Sequence, residues 1–112
     1  DAETRAFGEA LLRRMKAWCV ERGVGLYLVS LYHFNYPPGV YAWLEPVAKV
    51  AAIPFLDLQR PIAEAIGGDR AGHFITGDYH PNERTNALVA GRTWAWLRPM
   101  LEGDVARHAQ HP

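Results

Sequence analysis

Apolar residues recur at three- and four-residue spacing from the first turn of the chain: Phe7, Leu11, Leu12, Met15, Trp18 and Cys19. That period lays an apolar stripe along one face of a helix over residues 1–22, and Gly23 suits the left-handed position that closes it. The run VGLYLVSL, Val24 to Leu31, then changes character. It is short, nearly unbroken and rich in β-branched and aromatic residues, as expected of a strand covered on both faces. A loop, YHFNYPPG, follows from Tyr32 to Gly39. A second helix is predicted from Val40, Leu44, Val47, Ala48 and Ala51, with Pro46 requiring a kink or a late start.

IPFLDL, Ile53 to Leu58, reads as a second strand with Pro54 at its beginning. Pro61 suits the first turn of a short helix, PIAEAIG, after which Gly67, Gly68, Asp69 and Gly72 mark an irregular connection. Asn82 is a candidate N-cap for a last helix, in which Leu88, Gly91, Trp94, Ala95 and Leu97 share a face until Pro99 disturbs it. The remainder, from about Glu102 onward, is polar and expected to fray. There is no internal repeat. Helix, strand, helix, strand, short helix, loop and helix is the alternation of an α/β fold with parallel strands, in which sites collect at the carboxyl ends of the strands. The Tyr32–Gly39 and Asp78–Asn82 loops are both expected on that edge.

Composition narrows the function classes. The chain has 112 residues, 49% apolar and 21% charged, which predicts a soluble globular chain of one domain at most. Twelve basic and twelve acidic residues cancel without forming a block of either sign, so no nucleic-acid partner is expected. No apolar run approaches the roughly 20 residues of a membrane span, and no signal-peptide succession is visible, so no membrane partner is expected either. Cys19 is the only cysteine and reads as a core thiol. The compartment is not specified. A start without methionine, directly in a helical pattern, suggests a processed or trimmed product.

Chemistry concentrates in ITGDYHPNERTNALVA, residues 75–90, where Asp78 and His80 stand one residue apart before Pro81-Asn82 and a helix start. A solvated turn accounts for Asp78 and Asn82 but not for His80. Tyr32, His33 and Asn35 follow the first strand and are candidates to line a substrate pocket. His73, Asp78 and His80 include the residue types of a metal site, but no cysteine and no helical His pair supports one, and neither metal nor cofactor is expected. The four tryptophans read as packing residues.

Asp78, His80, Pro81 and Asn82, followed by the apolar helix start Ala87-Leu88-Val89-Ala90, resemble the C-terminal block of the SGNH or GDSL hydrolases. These are serine esterases and acyl hydrolases with a flavodoxin-like three-layer α/β/α fold. The resemblance implies that residues 1–102 form the C-terminal half of such a domain and residues 103–112 a polar tail. It implies His80 as general base and Asp78 as the carboxylate that orients it, acting on a small ester or acyl substrate. Two features depart from the family pattern: one residue, not two, separates acid from base, and Thr85-Asn86 stands where many members have Gly-His.

The nucleophile block that the resemblance implies, Gly-Asp-Ser with its oxyanion-hole residues, is not in this sequence. The one serine, Ser30, lies in LVSL without flanking glycines and reads as a strand-end hydroxyl. The expectation is therefore part of a longer hydrolase, or a chain completed by a separate N-terminal half or a swapped copy. A non-catalytic α/β binding or assembly domain and a metal-binding domain are the alternatives.

Overall fold

A computed structural model describes residues 2–31 and 39–109, with side chains described to residue 105. The chain divides into two compact units, Asp1–Gln59 and Arg60–Pro112.

The first unit begins with α1, Ala2–Glu21. Gly23, at φ 64°, closes it: the Val24 N–H reaches the Cys19 carbonyl and the Gly23 N–H reaches Val20. Two carbonyls that the helix end leaves unpaired are thereby satisfied. The predicted stripe is only partly covered. Cys19 is buried and Leu12 half-buried, whereas Phe7, Leu11, Met15 and Trp18 remain exposed, Phe7 at 71%. The face turned inward is instead Gly8, Leu12, Lys16 and Cys19, with the indole of Trp43 close over Gly8.

β1, Leu28–Ser30, and β2, Phe55–Asp57, pair in parallel with Leu28 opposite Phe55, Val29 opposite Leu56 and Ser30 opposite Asp57. Both are shorter than the predicted runs, because a two-stranded ladder extends only as far as both strands offer partners. Pro54, which lacks an N–H, limits it at one end while its carbonyl still accepts the Leu28 N–H. Between the strands lies α2, Leu44–Val50. It is the late start that Pro46 required, with that proline in the first turn, where no intrahelical N–H partner is lost. Cys19, Ala48, Ile53 and Leu58 are the buried apolar residues among those described in this unit.

α3, Gln59–Ile66, spans the boundary and begins two residues before Pro61. The Asp57 carboxylate explains the early start, since it accepts the otherwise unpaired N–H of Gln59 at 3.0 Å. In the second unit Ile62, Ile66 and Phe74 are buried. Gly67, at φ 58°, ends α3. α4, Glu83–Ala109, runs through Pro99 and makes the expected polar tail helical to Ala109. Its inward face also differs from the predicted one. Leu88 and Leu97 of the predicted face are half-buried, but Gly91, Trp94 and Ala95 are exposed, while Thr85 is buried and Val89, Thr93, Trp96 and Met100 are half-buried. The described residues thus form a mixed α/β chain with one two-stranded parallel sheet. Among them no helix is long and apolar enough to cross a membrane.

Candidate functional site

In the second unit the chain between α3 and α4 doubles back on itself. Phe74 and Pro81 form an antiparallel bridge, flanked by bonds from the Ile75 N–H to the His80 carbonyl at 2.9 Å and from the Asn82 N–H to the His73 carbonyl at 3.1 Å. The tip, Thr76 to Tyr79, is a tight turn in which Asp78 and Tyr79 both donate N–H bonds to the Ile75 carbonyl. Two of its residues are left-handed, Gly77 at φ 81° and Tyr79 at φ 61°.

That backbone brings the predicted acid and base together. His80 Nδ1 lies 2.5 Å from Asp78 Oδ1, the geometry of an imidazole N–H donated to a carboxylate. The single residue between them is sufficient because Tyr79 is left-handed and returns the chain on itself. Both side chains are open, His80 at 75% and Asp78 at 53% exposure, so the rest of the imidazole is accessible to a reactant.

A left-handed residue with a Cβ costs about 1–2 kcal/mol, whereas an ion pair as exposed as this one contributes about 0–1 kcal/mol. The pair alone therefore does not offset the Tyr79 backbone; the bonds from Asp78 and Tyr79 to the Ile75 carbonyl and from Ile75 to His80 hold the turn with it.

Behind the tip the turn is fixed to the start of α4. Asn82 is the N-cap expected of it: its Oδ1 accepts the Thr85 N–H at 3.2 Å, and its Nδ2 donates to the Gly72 carbonyl at 3.0 Å. Asp69 accepts the Gly72 N–H at 3.0 Å and meets Arg84 at 3.4 Å. His73 and Thr85 are buried and bonded to each other, His73 Nδ1 to Thr85 Oγ1 at 3.1 Å, while the Thr85 hydroxyl donates to the His73 carbonyl at 2.6 Å. In the sequence His73 stands out only as one of three metal-ligand types and Thr85 only as a departure from a family pattern, so their pairing is not expected from it. The one available signal was a polar residue at the third helical position after Asn82, and its partner lies 12 residues earlier.

The other candidates fall elsewhere. Tyr32, His33 and Asn35 lie outside the described residues. His73 points its Nδ1 at Thr85 rather than joining Asp78 and His80, and among the described residues no group of three or more His, Cys, Asp or Glu is gathered as a metal site. In the first unit Ser30 is a buried strand-end hydroxyl. It donates to Asp57 Oδ1 at 2.5 Å, and Gln59, also buried, completes the cluster by accepting the Gly39 N–H at 3.3 Å. Compared with protein-family models, characterised proteins and solved structures, the chain matches none.

Proposed function

We propose that this chain supplies the proton-transfer part of a serine ester or acyl hydrolase of SGNH type, with His80 as general base and Asp78 as its orienting carboxylate. The observation that carries this reading is the bond between His80 Nδ1 and Asp78 on an exposed, left-handed turn fixed to a helix start. Neutral imidazole bonded through Nδ1–H has its other nitrogen free to accept a proton. In the proposed reaction His80 takes the proton of a serine hydroxyl as its oxygen attacks the acyl carbon, and returns it to the departing alcohol. A water molecule then reverses the sequence and releases the acid. Asp78 stabilises the imidazolium formed at each step.

The reading draws the nucleophile and the oxyanion donors from a segment other than the described residues, supplied by an N-terminal half or by a second copy. It takes the two-stranded α/β architecture as the C-terminal part of a flavodoxin-like three-layer fold. The exposed Phe7, Leu11, Met15 and Trp18 of α1 support the need for further covering structure. The same stripe favours the second reading, an assembly domain without chemistry.

Hydrolysis of a short-chain p-nitrophenyl ester by the protein of the complete open reading frame separates the two. His80→Ala is expected to lower kcat about a thousandfold or more with folding retained. Asp78→Asn is expected to cost a comparable factor, because the carboxylate contacts the ring directly. Near-normal turnover in the His80 variant would leave the assembly reading standing.

A further inference from the structure

The buried pair His73 and Thr85 lies behind the exposed dyad, and the hydrolase reading above leaves it unused. A threonine hydroxyl has one proton, and here it goes to the His73 carbonyl at 2.6 Å. The Thr85 oxygen is then the acceptor in its second contact, so His73 bears its proton on Nδ1 and donates it at 3.1 Å. The His73 carbonyl accepts a second bond from the Asn82 N–H, and Asn82 Nδ2 ties the preceding carbonyl, that of Gly72. Four hydrogen bonds thus join residues 72–73 to residues 82–85. They form a clasp on the first turn of α4 at the point where the loop of the dyad leaves and returns.

From this clasp to His80 there is one intervening residue, Pro81, whose ring fixes its φ near −65°. Little rotational freedom remains between Asn82 and the backbone that aims the imidazole. The return strand is held in register as well, by the Phe74–Pro81 bridge and the bond from Ile75 to His80. Both members of the polar pair are almost fully buried, at 3% and 2% exposure, so neither can exchange its partner for water. Loss of either leaves a buried polar group unsatisfied.

We propose that Thr85 and His73 are positioning residues that set the orientation of His80 toward Asp78 through the Asn82–Pro81 backbone. This rests on the reading of His80 as a proton-transfer group. A displacement of about 1 Å at such a group lowers turnover about a hundredfold.

The test reads the dyad itself, by NMR of the His80 ring in the full chain, where the ring-nitrogen shifts, detected through the non-exchanging carbon-bound protons, report the Nδ1–H tautomer that a carboxylate on Nδ1 selects. Thr85→Val keeps the shape of the side chain and removes the hydroxyl. It is expected to shift the ring-nitrogen signal of His80 from the Nδ1–H form toward the Nε2–H form of a free imidazole, while Thr85→Ser retains the wild-type signal. Ile62→Val, at another buried position of the same unit, serves as the control: it lowers stability without moving the signal. A wild-type His80 signal in Thr85→Val, an equal change in Ile62→Val, or loss of the signal in Thr85→Ser would each overturn the proposal. Where Thr85→Val does not fold, His73→Phe combined with Thr85→Val removes both polar partners together and decides in the same way.

In the ester assay Thr85→Val is expected to lower kcat with KM retained. Near-normal turnover in His80→Ala would sink the hydrolase reading while leaving the NMR result on the clasp intact.

Discussion

Ala52 takes φ 51° at the end of α2, in the position where a helix ordinarily ends on glycine: its N–H bonds the Lys49 carbonyl and the Ile53 N–H bonds Ala48. Its Cβ costs about 1–2 kcal/mol there, while glycine loses about 0.4–1 kcal/mol more than alanine in ordering the unfolded chain. Ala52→Gly is therefore expected to stabilise the protein by about 0.5–1 kcal/mol, read as a rise of a few degrees in Tm; a fall in Tm would show that the motif is not strained. At this scale the sequence was informative where side-chain chemistry is local. Gly23 as a helix stop, Asn82 as a cap, and Asp78 beside His80 all depend on neighbours within a few residues. The His73–Thr85 pair and the Ser30–Asp57 bond span 12 and 27 residues, and no short-range pattern encodes such a meeting.

Within elements, the period of apolar positions identified the helices and strands but not the face that each buries. α4 shows why. Trp94 and Ala95 fit a predicted stripe, but the N-cap at Asn82 and the tie of Thr85 to His73 fix the rotation of the helix. The inward row then runs from Thr85 through Val89 and Thr93 to Trp96. Pro99 misled in the other direction, since α4 continues through it. A proline inside a helix leaves the carbonyl four residues earlier without its N–H and costs about 3 kcal/mol relative to alanine. Pro99 is exposed, so no packing compensates for it. Pro99→Ala is expected to raise both far-ultraviolet helicity and stability, the latter by about 1–3 kcal/mol, the range of the interior penalty once the helix has bent to relieve part of it. Unchanged helicity on circular dichroism would show that the last turns are not held as one helix with the rest.

At the scale of the whole molecule, composition correctly implied a chain with an apolar interior, and the order of elements implied parallel strands; the extent of the sheet and what covers α1 were not legible. Periodicity states that a helix has an apolar face. It does not state whether the partner of that face lies in the same 112 residues. Phe7, Leu11, Met15 and Trp18 occupy successive turns of α1 and are 71%, 48%, 43% and 53% exposed, a contiguous row rather than the scattered apolar residues of an ordinary surface. Because Leu11 and Met15 contribute little to the interior, Leu11→Lys with Met15→Lys is expected to change stability by no more than about 0.5 kcal/mol per site. The same pair of charges at the centre of the row is expected to abolish association driven by it. Sedimentation over a range of concentrations checks this. The wild-type chain should rise above its 12.6 kDa monomer mass as concentration increases, and the double variant should remain at that mass. A variant that unfolds would show that the row belongs to the interior, and a wild-type chain that stays monomeric throughout would show that α1 tolerates its exposed stripe without a partner.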